Sequence, residues 1–195
     1  MTAARVDTRR AILDSGRRVI TAKGYSAVGL NEILKEAGVP KGSFYHFFTS
    51  RDAFGEALLQ RYFDEYFATM DRITADRNKN AAQQLMQYWQ NFYDTQAVDD
   101  CQGRCLVVKL GAEIADLSEA MRETMKAGTT QIVDRLERMI TAGVGDGSLT
   151  IDADPRATAE TLYDLWLGAS VMAKIHRSTA CLDRCMATTR RILHN

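Results

Sequence analysis

Residues 28–48 read Val-Gly-Leu-Asn-Glu-Ile-Leu-Lys-Glu-Ala-Gly-Val-Pro-Lys-Gly-Ser-Phe-Tyr-His-Phe-Phe, and their spacing is that of two short helices around a glycine turn. Apolar side chains recur at helical intervals between Leu30 and Ala37, and Gly38 follows where a left-handed helix end is expected. Pro40 suits the start of the second helix, because its fixed φ angle fits there and its missing N–H is not needed. The predicted inward face of that helix consists of Phe44, Phe47 and Phe48.

The outward face of the second helix carries side chains that point to a function. It is predicted to consist of Lys41, Gly42, Ser43, Tyr45 and His46. A cation, a glycine that allows close approach and three hydrogen-bonding side chains suit contacts with phosphates and base edges in a major groove. The segment is therefore predicted to be a helix-turn-helix that binds double-stranded operator DNA.

The distribution of charge supports this interpretation. Residues 1–51 contain nine Lys/Arg and four Asp/Glu, a formal charge of +5. The whole chain has 25 residues of each sign and no net charge, so residues 52–195 carry −5. A basic N-terminal region followed by an acidic remainder is typical of a DNA-binding domain joined to a domain with another task.

The composition favours an all-α fold. The 195 residues are 46% hydrophobic, include two prolines and contain no run that alternates as β-strands do. Thr49-Ser50-Arg51-Asp52 is a strong start signal for a long helix. We predict an N-terminal three-helix DNA-binding domain in residues 1–50 and a C-terminal helical domain for effector sensing and dimerisation in residues 51–195.

Start and stop signals place the individual helices. Asp7 or Thr8 is expected to cap a first helix that ends at Lys23, and the helix that follows Ser50 should extend to about Asp76. An aromatic-rich helix should end near residues 98–100, and further helices are predicted over residues 103–116, 118–142 and 178–193, with a loop over residues 143–147. Residues 152–155, which end in Pro155, are predicted to open another helix that runs to residue 175.

The chain is expected to be a bacterial cytoplasmic protein, associated with the nucleoid when it binds DNA. It lacks a stretch of about 20 uncharged apolar residues, the length needed to cross a bilayer, and residues 1–7 lack the apolar core of a signal peptide. No contact with a membrane is predicted. The four cysteines are expected to be reduced thiols in that compartment.

The segment Trp166–Ala173 has more apolar and small residues than one buried stripe requires. Small residues allow close approach of helices, so a homodimer through the last two helices, joined as a four-helix bundle, is one interpretation. The other is a fully buried helix within a monomer. A dimer would hold two DNA-binding units at a fixed separation and recognise a palindrome.

Residues 8–56 resemble the DNA-binding region of the TetR family of bacterial repressors. The matching positions are Gly38, Val39, Gly42, Ser43, Phe44, Tyr45, Phe48 and Ser50-Arg51. The resemblance implies three DNA-binding helices, six effector and dimer helices, and a repressor released when a small molecule binds or modifies it. It also implies that Lys41, Tyr45 and His46 contact DNA and that Arg51 lies near a phosphate. Gly29 departs from the family, which usually has a capping Ser or Thr there.

Residues 103–122 and 166–178 are similar to the branch of this family whose inducers are electrophiles and oxidants. The proposed sensor is Cys105, which follows Arg104 at an expected helix start, where the helix dipole and the guanidinium favour the thiolate. Lys109 lies one turn further on. Thiolates react with quinones, aldehydes, maleimides and hypochlorous acid. By resemblance, Lys174 faces the same pocket, where its amine would trap an oxidised sulfur.

Other interpretations remain open for the thiols. Cys105 at a helix start can equally be an ordinary small apolar residue. Cys101 is expected to be a spectator or a resolving thiol, and Cys181 and Cys185 share a helix face that suits packing. A metal site formed by Cys181, Cys185 and His176 is the alternative, but structural zinc normally requires closely spaced pairs and four ligands, so no metal site is predicted.

Two alternative functions are also compatible with the sequence. A reversible apolar effector would bind among aromatic side chains that more often form a core, namely Phe63, Tyr88, Trp89, Phe92 and Trp166. A thiol-dependent redox enzyme would use Cys105 and turn over with a reductant. The chain lacks a phosphate loop, a nucleophile elbow and a dinucleotide fingerprint, so no catalytic residues and no cofactor are predicted.

Overall fold

The structure, a computed structural model, describes residues 3–194 and the side chains of residues 7–194. Over this range the chain forms nine α-helices and no β-strand, which confirms the all-α prediction. The helices are α1 Ala3–Lys23, α2 Leu30–Ala37, α3 Lys41–Phe44, α4 Arg51–Thr74, α5 Ala81–Cys101, α6 Leu106–Leu117, α7 Glu119–Gly145, α8 Pro155–His176 and α9 Ala180–Ile192. Residues 1, 2 and 195 lie outside the described residues. They are the outermost residues of the two predicted domains, and residues 1 and 2 also belong to the N-terminal segment 1–7.

Several predicted helix signals are confirmed. The Ser50 hydroxyl accepts the Ala53 N–H at 3.0 Å at the start of α4. Asp154 caps α8 by accepting the Ala157 N–H at 3.1 Å, with Pro155 as the first helical residue. Within residues 3–194, none of the helices is both long enough and apolar enough to span a bilayer.

Two predicted boundaries are wrong. Helix α1 begins at Ala3, so Asp7 and Thr8 lie inside the helix and do not cap it. Helix α7 continues through Gly143 to Gly145, although residues 143–147 were expected to form a loop. The buried Leu149 packs against Gly143 and donates its N–H to the Gly143 carbonyl at 2.9 Å. This contact offsets the cost of about 1 kcal/mol that a glycine brings to a helix.

The described residues form two compact units. The first unit contains residues 3–64 and 109–127, and its most buried side chains include Ile12, Ile20, Phe44, Phe54 and Met121. The second unit contains residues 65–108 and 128–194, with α8 packed on α5 and α9. Part of α6 and α7 therefore packs with the N-terminal helices, although it comes late in the chain. The division into a DNA-binding domain of residues 1–50 and a sensing and dimerisation domain of residues 51–195 describes function and stays a prediction.

Gly16 on α1 makes room for the ring of Phe54 on α4. A Cβ added at Gly16 would meet the fully buried Phe54 ring closer than real Cβ contacts occur. An alanine would therefore force a rigid aromatic side chain to move, and such overpacking costs about 1–3 kcal/mol.

We expect Gly16→Ala to lower the free energy of unfolding by about 1 kcal/mol, because the overpacking exceeds the gain in helix propensity. Gly111→Ala on α6 is the matched control, since its added Cβ meets nothing within 4 Å. That control should be neutral or stabilising. Urea unfolding of both variants measures the difference, and equal stabilisation by the two alanines would contradict the packing argument.

Candidate DNA-binding surface and thiol site

The hairpin of α2 and α3 has the predicted turn. Helix α2 starts after Gly29, which is extended (φ −77°, ψ 150°) and forms no side-chain cap. It ends at Gly38, which is left-handed (φ 65°, ψ 29°) as predicted. The Val39 N–H then bonds the Leu34 carbonyl at 3.0 Å. Helix α3 follows from Pro40, so the orientation of its first residues is set by this turn.

Helix α3 is shorter than the second helix that the sequence predicts. Only residues 41–44 are helical, and tight turns continue to Phe47, whose N–H bonds the Phe44 carbonyl at 2.9 Å. Phe44 and Phe48 are buried as predicted, with ring centroids 5.1 Å apart. Phe47 is half-buried, so the inward face contains two phenylalanines rather than three.

The predicted outward face is largely confirmed as a surface. Lys41, Gly42, Tyr45 and His46 are exposed, and Ser43 is half-buried. Tyr45 is 59% exposed, and its ring meets the buried Phe44 ring edge-on at 5.4 Å. The base of the tyrosine is thus held by the core while its hydroxyl faces solvent.

The basic residues of α1 and the hairpin have different environments. Lys23 pairs with Glu32 at 2.6 Å and Arg18 with Glu36 at 3.2 Å, which connects α1 to α2. Among the residues that the structure describes, Lys41 forms no salt bridge. Its charge is therefore available to a phosphate, whereas the two α1 cations are already neutralised by neighbouring carboxylates.

Arg51 is engaged within the first unit. Its guanidinium donates hydrogen bonds to the carbonyls of Tyr25 and Val28, the latter at 2.7 Å, and stacks on the Tyr25 ring at 4.7 Å. The Tyr25 hydroxyl donates to the Arg51 carbonyl at 2.8 Å. This residue secures the turn between α1 and α2, a role that the sequence did not indicate. Its phosphate contact stays a prediction.

Cys105 immediately precedes α6, as predicted, and is buried with 4% exposure. Arg104 is exposed, and its guanidinium lies 3.5 Å from the Asp99 carboxylate. The guanidinium charge that was expected to favour the thiolate is therefore shared with Asp99. Lys174 is half-buried on α8 and belongs to the same compact unit as Cys105.

Two tyrosines near Cys105 were not singled out for this site by the sequence. Burial raises the pKa of Tyr88 well above its ordinary value; the hydrogen bond with Tyr66 lowers the pKa in part, and a charge on the nearby sulfur of Cys105 raises it. Burial and the same sulfur also raise the pKa of Tyr163. The Tyr88 hydroxyl lies 2.7 Å from that of Tyr66. Cys105 is therefore close enough to both phenols for a charge on its sulfur to affect them, a proximity between distant segments that sequence spacing does not reveal.

None of the four cysteines, all within the described residues, forms a disulfide, and the four thiols differ in environment. Burial, then Asp100 and Asp183, raise the pKa of Cys101, and burial raises the pKa of Cys185 to about 12. Cys181 is half-buried and accepts a hydrogen bond from the Arg184 guanidinium at 3.2 Å. Cys101 and Cys185 are therefore largely protonated at neutral pH and poor nucleophiles.

The segment before Cys105 has an unfavourable backbone. The helical path of α5 breaks at Val98, and Asp99, Asp100 and Cys101 have φ angles of 51°, 58° and 60°. This conformation costs about 1–2 kcal/mol for most residues other than glycine, and less for aspartate, which adopts it more readily. Among the described residues, the buried Gln96 side chain also has no partner for its Nε2. The chain that enters the thiol site is thus under local strain.

The predicted aromatic pocket is a packed core. The Trp89 and Trp166 rings stack at 5.3 Å with an interplanar angle of 9°, and Phe92 lies 5.5 Å from Trp166. Tyr88 completes this cluster, 4.7 Å from Trp89. Phe63 belongs to the first unit, where its ring lies 5.3 Å from that of Tyr62. A ligand among the four clustered rings would have to displace them.

A cleft of about 300 Å³ lies elsewhere in the second unit. It is lined by Met70, Asp71, Thr74, Gln84, Arg135, Arg138, Met139 and Ala142. Arg135 is 3.4 Å from Asp71 and stacks on the Phe67 ring at 4.2 Å. The aromatic residues predicted to form a pocket do not line this cleft.

Known proteins share both the sequence pattern and the fold. Residues 12–58 match the family model "Bacterial regulatory proteins, tetR family", and residues 81–189 match "Tetracyclin repressor-like, C-terminal domain". The chain is 36% identical over 187 residues to the HTH-type transcriptional repressor NemR of Escherichia coli K12, covering 96% of this chain and 94% of NemR. It is 32% identical over 181 residues to the repressor DhaR of Mycobacterium sp. GP1, covering 93% and 89%.

A solved structure agrees with these relatives. The crystal structure of reduced E. coli NemR superimposes with a TM-score of 0.91 at 37% identity, covering 96% of this chain and 97% of that one. These relatives are transcriptional regulators rather than enzymes, which removes the support for the redox-enzyme alternative. The chain belongs to the TetR family of DNA-binding transcriptional regulators.

Proposed function

We propose that this regulator is a repressor that leaves a palindromic operator when an electrophile or oxidant modifies Cys105, derepressing detoxification genes in the bacterial cytoplasm. The observation that carries the proposal is the position of Cys105 between a strained segment and the first residue of α6. A group added to this buried sulfur requires space that the packed site does not offer, so modification must displace neighbouring chain.

DNA recognition is assigned to the exposed face of α3 and the turn after it. Lys41 supplies an unneutralised cation for a phosphate, and Tyr45 and His46 supply hydrogen-bonding groups that reach outward. Gly42 lets the backbone approach the DNA, and Ser43 adds a hydroxyl at the edge of this surface. Arg51 acts chiefly by holding the turn between α1 and α2.

The chemistry at Cys105 follows from its sulfur. The thiolate adds its electron pair to a carbon–carbon double bond of a maleimide or quinone, a C–S bond forms, and the adduct takes up one proton. With hypochlorous acid, the thiolate displaces hydroxide from chlorine to give a sulfenyl chloride. The Lys174 amine then displaces chloride, losing a proton and forming an S–N bond.

A homodimer through α8 and α9 completes the proposed function. Members of this family act as dimers that bind operator DNA. Helix α8 exposes Leu165, Met172 and Ile175 at 36%, 42% and 66%, with Gly168 on the same face. Their spacing of three, seven and ten residues forms one helical stripe. Burying this stripe against a second copy would remove exposed apolar surface from water.

Substitutions on the DNA-binding face should separate phosphate contacts from base contacts. We expect Lys41→Ala to weaken operator binding about tenfold, because one phosphate contact is lost. The slope of the logarithm of the binding constant against the logarithm of the salt concentration should become less steep by about one. Tyr45→Ala should weaken binding by a similar factor without changing that slope. Fluorescence anisotropy at several salt concentrations measures both. Lys79→Ala, in the second unit, should bind as the wild type does; equal losses in all three would contradict the assignment.

The thiol switch is tested by DNA release. Reduced wild-type protein should leave the DNA upstream of its gene after N-ethylmaleimide or hypochlorous acid, whereas Cys105→Ser should stay bound. Cys181→Ser is the matched control and should release DNA as the wild type does. Mass spectrometry should find Cys101 and Cys185 modified slowly, because their raised pKa values leave little thiolate. If the Cys105→Ser variant also released DNA, the sensor would have to be another residue, and a reversible apolar effector would be favoured.

The dimer is tested by placing a charge on the α8 stripe. We expect Ile175→Glu to sediment as a monomer and to lose affinity for a full palindrome at least a hundredfold, because two half-sites would no longer be bound together. Leu117→Glu changes an α6 side chain that is 50% exposed and should remain dimeric. A dimeric Ile175→Glu variant with full operator affinity would exclude this interface.

A further inference from the structure

A long-range contact joins α6 to the turn between α1 and α2. The carboxylate of Glu113 accepts the backbone N–H of Tyr25 at 3.0 Å and that of Ser26 at 2.6 Å. These residues are separated by 88 and 87 positions in sequence and belong to the first compact unit. One acidic side chain thus satisfies two consecutive donors just after the end of α1.

The turn is shaped to receive this carboxylate. Gly24 has a φ of +91°, and a Cβ added there would lie 3.3 Å from Glu113 Oε2. A side chain at this position would therefore both strain the backbone and crowd the acceptor. Partial burial raises the pKa of Glu113, but hydrogen bonds from Ser26 and Tyr25 lower it below its ordinary value overall, which keeps the carboxylate ionised.

The same turn is held from its other side by a cation. While Glu113 accepts the N–H groups of Tyr25 and Ser26, Arg51 donates to the carbonyls of Tyr25 and Val28. The donors and acceptors of the turn are therefore bound by opposite charges from α6 and α4. Because α2 begins at Leu30, this turn fixes where the DNA-binding hairpin starts.

We propose that Glu113 is a positioning residue for DNA binding, and that loss of its two hydrogen bonds is the step by which modification of Cys105 lowers operator affinity. Cys105 precedes the first residue of α6, and Glu113 follows eight residues later, about 12 Å along the helix. A shift of α6 along or about its axis would carry the Glu113 carboxylate away from the N–H groups of Tyr25 and Ser26 and break both bonds, since hydrogen bonds weaken steeply with distance and angle. This inference rests on the proposed function.

The experiment compares Glu113→Gln and Glu113→Ala with the control Asp116→Asn, which removes an exposed carboxylate from the same helix. Glutamine keeps one accepting oxygen and alanine keeps none. We expect operator affinity to fall about threefold in Glu113→Gln and at least tenfold in Glu113→Ala. Asp116→Asn should behave as the wild type does. Unchanged far-UV circular dichroism shows that each variant is folded.

Hydrogen exchange supplies a readout that a general loss of stability would not produce. The Tyr25 and Ser26 amides should be protected in the reduced wild type and lose protection after N-ethylmaleimide. In Glu113→Ala they should already exchange at least tenfold faster before modification, while amides in the middle of α1 and α8 stay protected. N-ethylmaleimide should then lower operator affinity strongly in the wild type and in Asp116→Asn, but little in Glu113→Ala, which has already lost the two hydrogen bonds.

The outcomes distinguish this inference from the function on which it rests. A wild type that binds no operator, or that ignores N-ethylmaleimide, overturns both. A wild type that binds and releases DNA while Glu113→Ala does so with the same affinity and the same response overturns only the role of Glu113. Slow exchange of the Tyr25 and Ser26 amides in modified wild-type protein also overturns it.

Discussion

The DNA-binding surface depends on the burial of Phe44. Helix α3 has a single turn, and one turn fixes several backbone angles for very few hydrogen bonds, so it cannot hold its shape alone. Phe44 is fully buried, and its ring lies 5.1 Å from Phe48 and 5.7 Å from Phe54 of α4. The direction of every outward side chain in this segment follows from that aromatic packing. Gly16 contributes by leaving space for the Phe54 ring.

Charged side chains in the first unit bind backbone groups at the turn that leads into the hairpin. Glu113 and Arg51 are oppositely charged, yet each bonds main-chain atoms of residues 25–28. Charge-assisted bonds of this kind are stronger than bonds between neutral groups. Exposed pairs such as Lys23 with Glu32 contribute little by comparison, because water screens them. The turn is therefore better fixed than its position near the surface alone would suggest.

The sequence predicted those features that depend on neighbouring residues. Gly38 as a left-handed helix end, Ser50 as a cap and Asp154 before Pro155 each act within four positions of the chain, and each is confirmed. The start of α1 and the end of α7 were misplaced, and at the end of α7 packing overrode the local loop signal. Gly143 stays helical since Leu149 covers it.

Features formed by distant residues were not predictable in the same way. The contact of Glu113 with Tyr25 requires the fold, as does the proximity of Tyr88 and Tyr163 to Cys105.

The burial of Cys105 was also not predictable from the sequence, and it changes the argument for a sensor. A half-buried thiol such as Cys181 can carry an adduct with fewer consequences for packing. A sulfur with 4% exposure cannot, so the added volume must be accommodated by movement. The left-handed residues 99–101 lower the cost of such movement, because leaving that conformation relieves about 1–2 kcal/mol at Cys101 and less at the two aspartates. Because Cys105 is buried, its modification must change the structure around it, and the strained segment is the part of the chain expected to move first.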